Sequence, residues 1–202
     1  MNILFVCTGN TCRSPMAEAL LKSKYPHAHV QSAGVYAVEG DRINGKAVTA
    51  LERRNINASI QSQPINGALL DWADLILTMT TQHKQSLIMS YPHFQDKYYT
   101  LKEYVSDADK QTWKALKKLY AEVEVKRAAF VQQYEHKLSF VDLENKLHHH
   151  LEKDLQKINQ LESSLINYDI SDPFGGSLED YEQTLQELDM YTDKLIKKIE
   201  KK

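Results

Sequence analysis

The sequence predicts an α/β fold in three layers, a central parallel sheet between helices, with a helical hairpin inserted into it. Three observations predict it. Short apolar runs of strand length alternate with segments of helical composition, the pattern of parallel strands joined by helical crossovers. The first run, Ile3 to Val6, is continuously apolar, as a strand buried on both faces requires. And residues 106–168 contain neither Gly nor Pro, balance ten basic against ten acidic residues, and repeat apolar positions near the 3.6-residue helical period.

The elements follow in order. Ile3 to Val6 is a strand, residues 7–15 a polar loop, and Met16 to Lys24 a helix for which Ser14 is the expected N-cap and Pro15 the first helical position. Val30 to Val35 reads as a strand, 46–54 as a helix and 67–73 as a short helix. Asp74 to Met79 reads as a central strand, Gln82 to Ser90 as the helix after it, and Lys97 to Leu101 as another strand. From Ser177 onward, Tyr181, Leu185, Leu188, Tyr191, Leu195 and Ile199 recur at spacings of three and four, which predicts a long amphipathic helix.

Bulk properties narrow the function. The 202 residues are 42% hydrophobic and 26% charged, enough apolar content for a packed core. A net charge of -2 gives no overall basic footprint for nucleic acid. Ile3 to Val6 is too short for a signal-peptide core, and no apolar run approaches the roughly 18 residues of a membrane span. Cys7 and Cys12 lie too close together to staple a secreted fold and read as reactive thiols in a reducing compartment. The expectation is a cytoplasmic protein with neither nucleic-acid nor membrane partners.

The chemistry concentrates at Cys7-Thr8-Gly9-Asn10-Thr11-Cys12-Arg13-Ser14-Pro15. A tight loop between a strand and a helix start can turn successive backbone N–H groups inward as an anion-binding nest, and the helix start adds positive potential. Arg13 supplies a planar fork for two phosphoryl oxygens. The same field favours Cys7 as a nucleophilic thiolate, and Ser14 can donate a hydrogen bond to it. Gly9 is expected to relieve the turn and Asn10 to brace it. The Cys-to-Arg spacing alone is also compatible with ordinary buried thiols; the whole nine-residue string after a first strand is far more specific.

On that string the chain resembles the low-molecular-weight cysteine phosphatases, most closely their bacterial protein-arginine-phosphatase branch. The resemblance covers 1–105 and 169–202. It implies a phosphatase that needs no metal or cofactor, acts on phosphorylated proteins, and forms a phosphocysteine at Cys7 with Arg13 binding the phosphoryl group. It implies that Asp172, in Asp172-Pro173-Phe174-Gly175-Gly176, first protonates the leaving group and then activates water. Thr8, Gly9, Asn10, Thr11, Cys12, Ser14 and Phe174 would complete the phosphate- and substrate-binding set. Thr11, where tyrosine-type members usually carry a larger apolar residue, and the Phe174-Gly-Gly segment point to phosphoarginine; a hydroxyl-bearing wall and an aromatic face suit a planar guanidinium. Phosphotyrosine hydrolysis by the same mechanism is the alternative, and a non-catalytic phosphoresidue-binding or coiled-coil module a second. The resemblance also implies a protective or switching disulfide between Cys12 and Cys7 on oxidation.

Residues 106–168 interrupt the resemblance. Their ends must meet for the core to stay intact, which predicts two antiparallel helices with a break near Ser139, where Ser139 caps the second and Asp142 lies in its first turn. Arms of about 30 residues would each span roughly 45 Å. Gating of the site, a protein partner, self-association through the apolar stripe, or a self-packed hairpin are the readings left open. His148, His149 and His150 are adjacent on a helix and point in different directions, so they do not form a facial metal site. His83 is expected to be a packed or supporting histidine.

Overall fold

The structure, a computed structural model, describes residues 1–106, 110–164 and 167–201, the side chains of residues 110, 113 and 117 excepted. Two compact units divide the chain: Met1–Ser106 with Tyr168–Lys202, and Asp107–Asn167.

The first unit is built on four parallel strands, β1 (Asn2–Cys7), β2 (His29–Gly34), β3 (Leu75–Thr78) and β4 (Tyr98–Thr100), in the order β2-β1-β3-β4. Alternation along the strands creates the three layers. Ile3, Phe5, Leu75 and Leu77 face one side and pack with α1 (Arg13–Lys24), α2 (Gly45–Glu52), α5 (Leu101–Val105) and α8 (Leu178–Ile199). Leu4, Val6, Ile76 and Tyr98 face the other and pack with α3 (Gly67–Trp72) and α4 (Thr81–Ser90). β1 and β3 are buried on both faces, which explains why their sequences show no polar alternation. β1 is also where the strand order reverses, so a crevice opens beyond its carboxyl end at Cys7.

Two local expectations are corrected. α1 begins at Arg13, not after Ser14, and its N-cap position, Cys12, makes no side-chain capping bond. The Ser14 hydroxyl is committed elsewhere, and a helix start without a side-chain cap is one that an anion can complete. The left-handed residue of the loop is Asn10, with φ of 54°, rather than Gly9. Asn is among the few residues that take this conformation at low cost, because its amide can bond locally.

In the second unit, α6 (Lys110–Tyr134) and α7 (Phe140–Ser164) form a hairpin. Tyr120 bonds Glu162, Lys126 pairs with Asp154 at 2.6 Å and the Phe130 ring lies 5.0 Å from His150, so partner numbers run in opposite directions, as antiparallel helices require. Each arm spans about 38 Å at 1.5 Å per residue, shorter than expected. Leu116, Leu119, Val123, Leu151 and Ile158 are buried as its core. The Ser139 hydroxyl accepts from the Asp142 amide at 3.2 Å, as a cap does. Leu165 and the Trp113 side chain, two of the apolar positions in the helical period of 106–168, lie outside the described residues. No group of three metal-ligating side chains is assembled among the described residues, and none of their helices is long and apolar enough to cross a membrane.

Candidate active site

β1 ends at Cys7, the chain turns through residues 8–12, and α1 begins at Arg13, so seven residues place a thiol and a guanidinium around one loop. Cys7, Thr8, Gly9, Thr11, Cys12 and Arg13 line a cavity of about 300 Å³, closed on its far side by Asp172 and Phe174. The chain thus brings eight of the ten residues selected from sequence to one cavity. Asn10 and Ser14 are not among its lining; both are fully buried and support the loop.

That support forms a directed chain of hydrogen bonds. Asn10 Oδ1 accepts from the Gln63 amide at 2.9 Å, which fixes the side-chain orientation and makes Nδ2 the donor on both sides. Nδ2 donates to Ser14 Oγ at 2.9 Å and to Ser32 Oγ at 2.8 Å. Each hydroxyl has then accepted, so its own proton points onward. Ser32 donates to the buried Glu18 carboxylate at 2.6 Å; Ser14 Oγ lies 2.9 Å from Cys7 Sγ, to which it can donate, and 3.4 Å from Ala33 O, its other acceptor. A hydroxyl at this distance can donate to an ionised sulfur, which accepts only. Sequence reasoning missed Glu18; its only signal is an acidic residue in the otherwise apolar Met16–Leu21 stretch.

Cys12 is different. Burial pushes its thiol up, against hydrogen bonds with Tyr181 and Thr11; Tyr181 Oη lies 3.3 Å from its sulfur. Both cysteines are free thiols lining the same cavity, but only Cys7 is bonded to a hydroxyl that the Asn10 amide also holds.

The rim of the loop is fixed from β2 and α4. Val35 and Tyr36 donate backbone N–H groups to the carbonyls of Cys7 and Thr8, each at 2.9 Å. That approach depends on Gly34: a Cβ there would stand 2.6 Å from Thr8 O and 2.8 Å from Asn10 N. An isolated Gly within a strand pattern is the sequence signal for such contact, and it went unused. Gly34→Ala is expected to destabilise the protein by about 1–3 kcal/mol through overpacking. It should also reduce kcat/KM by roughly 100-fold, since the backbone atoms it displaces belong to the phosphate loop. Urea unfolding and steady-state assays check the two effects separately.

His83 braces Thr8. Thr80 Oγ1 accepts from the His83 backbone N–H at 3.2 Å, so the Thr80 hydroxyl can donate to Nδ1 at 2.9 Å, leaving Nε2–H to donate to Thr8 Oγ1 at 2.8 Å. Burial, and then the Arg13 charge, push the ring from its ordinary 6.5 down to about 4. It is therefore a neutral brace near neutrality. Because the unfolded chain takes up this proton near 6.5 and the folded one only near 4, stability is fully present above that window and declines as pH falls through it. His83→Gln should flatten this part of the acid-unfolding profile, as denaturant titrations across the window would show.

Asp172 arrives from the far end of the chain. Ile170 donates its N–H to Met79 O at 2.8 Å, just past β3. Arg13 Nη1 donates to Ile170 O at 3.4 Å and Nη2 to Asp172 Oδ2 at 2.8 Å. The guanidinium side chain is 7% exposed and the carboxylate 52%. Pro173 to Gly176 then form a turn closed by Gly176 N–H to Pro173 O at 2.9 Å, with Gly175 at φ of 78°, a conformation that glycine takes freely. Phe174 stands 76% exposed over the cavity. The arrangement offers a hydroxyl-flanked sulfur, a guanidinium, a helix start and a carboxyl group around one space: the parts for in-line attack on a phosphoryl group.

Comparison with known proteins agrees. Residues 2–160 match the family described as "Low molecular weight phosphotyrosine protein phosphatase". A "Protein-arginine-phosphatase" of Bacillus subtilis is 33% identical over 205 residues, covering 100% of this chain and 98% of that one. A "Protein-arginine-phosphatase" of Geobacillus stearothermophilus is 46% identical over 108 residues, 53% of this chain and 73% of that one. Among solved structures, a Cys-to-Ser mutant of the YwlE arginine phosphatase with a phosphorylated active-site serine superposes with a TM-score of 0.69 at 33% identity, covering 100% of this chain and 97% of that one. The chain belongs to the low-molecular-weight phosphotyrosine protein phosphatase family.

Proposed function

We propose that this protein is a protein-arginine phosphatase that works through a phosphocysteine at Cys7. The observation that carries it is the convergence of Cys7, Arg13 and Asp172 on one cavity. The relatives' names support the choice of phosphoarginine, as does the hydroxyl of Thr11 in the cavity wall.

The free protein holds Arg13 and Asp172 together. A phosphoryl group bound by the Arg13 fork and the loop amides takes Asp172's place on Nη2, leaving that carboxyl group to carry a proton. The Cys7 thiolate attacks phosphorus in line; an S–P bond forms as the P–N bond breaks, and the Asp172 proton passes to the leaving guanidine nitrogen. Asp172, now a carboxylate, takes a proton from water, whose oxygen attacks phosphorus. The P–S bond breaks, phosphate leaves, and the thiolate is restored. Ser14 stabilises the sulfur both as nucleophile and as leaving group. Phosphorylated proteins are the substrates this scheme serves.

Matched phosphoarginine and phosphotyrosine peptides, assayed side by side under reducing conditions, test the reading. A kcat/KM preference for phosphoarginine supports it. A preference for phosphotyrosine keeps the machinery and overturns the substrate. Thr11→Ile replaces the hydroxyl wall by hydrocarbon and should move the ratio of the two kcat/KM values toward phosphotyrosine by roughly 10- to 200-fold, the range a single pocket group commands. An unchanged ratio would remove Thr11 from the argument.

A further inference from the structure

Asp172 sits on a short segment, and that segment is anchored by a buried charge that the reaction scheme does not use. The Asp169 carboxylate accepts from the Thr81 amide at 2.7 Å, and the Ile170 N–H reaches Met79 O. Ser171 gives both its N–H and its hydroxyl to Glu187 Oε2, at 3.0 and 2.8 Å. The other Glu187 oxygen pairs with Lys102 Nζ at 2.6 Å, and the same ammonium donates to Asp169 O at 2.6 Å and lies 5.4 Å from the centre of the Tyr191 ring. Lys102 is only 8% exposed.

A buried ammonium is a poor source of stability, since an apolar residue of similar volume would serve as well. Its placement gives it a different use. Lys102 lies on α5, shortly before the first unit of the chain breaks off at Ser106; Asp169 lies just after it resumes at Tyr168. One ammonium therefore ties together the two chain ends across the interruption and, through Glu187 on α8, holds Ser171, the neighbour of Asp172. Burial works against the Glu187 charge, yet the bonds from Lys102 and Ser171 outweigh it and keep that carboxyl group below the usual range.

We propose that Lys102, acting through Glu187, Asp169 and Ser171, is the positioning residue that aims Asp172 at the leaving group. The proposal rests on the reading of Asp172 as the general acid. Without the ammonium, the half-buried Glu187 carboxylate loses its ion pair with Lys102 and Asp169 O loses this bond. The Ser171 anchor then shifts, and a displacement of about 1 Å at a proton donor can lower the rate roughly 100-fold.

The test compares kcat/KM on two aryl phosphates, phenyl phosphate and 4-nitrophenyl phosphate. The phenolate of the first leaves poorly and needs a proton in the transition state; that of the second leaves well without one. Lys102→Met should lower activity on phenyl phosphate by about 10- to 100-fold and leave 4-nitrophenyl phosphate nearly untouched. Placed in an Asp172→Asn background, it should add nothing to the selectivity between the two, because residues acting as one unit are not additive. Equal losses on both esters, or a further change of selectivity in the double variant, would overturn the proposal. Asp172→Asn alone separates the two levels. If it leaves the selectivity unchanged, the acid assignment fails and takes the proposal with it; if it changes selectivity while Lys102→Met does not, only the positioning role fails. Glu187→Gln, which keeps side-chain volume, carries the same comparison if Lys102→Met does not fold.

Discussion

Cys7→Ser is expected to reduce turnover to background, a loss on the order of 10⁶-fold if this nucleophile matters as much as those of other covalent enzymes. The variant should still fold. Cys7 is the last residue of a strand hydrogen-bonded on both sides, and a serine hydroxyl is small enough for the space and able to keep the bond to Ser14. What changes is the chemistry. The hydrogen bond from Ser14, the helix start and Arg13 together stabilise a sulfur anion, but they cannot ionise an alcohol near neutral pH. Any phosphoryl group that does transfer would then remain, because an alkoxide leaves far less readily than a thiolate. Inorganic phosphate binding should persist, since Arg13 and the loop amides are intact. The measurements are steady-state turnover, phosphate binding by calorimetry, and intact mass after incubation with substrate, where a single stable phosphoryl adduct is expected. Turnover close to that of the unmodified protein would exclude the covalent route.

Asp172→Asn should lower kcat by about 10²- to 10⁴-fold, the range that a positioned general acid contributes. The substitution is close to isosteric, and its amide oxygen can still accept from Arg13 Nη2, so the 2.8 Å contact and the shape of the acid loop should survive. It removes the proton needed by the leaving nitrogen and, in the second step, the base that activates water. Both steps slow. Rapid-quench measurement of phosphoenzyme formation and decay separates them. A full-rate first step on a phosphoarginine peptide would show that another group supplies the proton.

What was legible in the sequence is what depends on residues close together in it. β1, the loop and α1 lie within the first 24 residues. A continuous apolar run, a polar turn and a helix-forming segment follow one another there, and Cys7 and Arg13 are carried to the same loop by local geometry alone. The hairpin was legible for the same reason: helical periodicity and a break near Ser139 are local properties, and the balance of charges showed a solvated outer face. The long last helix announced itself through Tyr181, Leu185 and Leu188.

Tertiary structure decided what joins distant residues. Arg13 and Asp172 are 159 positions apart and meet at 2.8 Å, and Thr8 and His83 are 75 apart and meet at 2.8 Å. No periodicity encodes such pairs, because they follow from the strand order β2-β1-β3-β4 and from which helix covers which face. The same holds for Ser14, whose local preference as an N-cap gave way to hydrogen bonds of its hydroxyl with Cys7 and Asn10, and for Gly9, whose expected turn conformation went to Asn10. Local propensities are worth a few tenths to about 1 kcal/mol, whereas a buried polar group left without a partner costs about 1–3 kcal/mol. Where the two compete, at the loop and beneath the acid, buried hydrogen bonding wins, and it can be read only once the chain has folded.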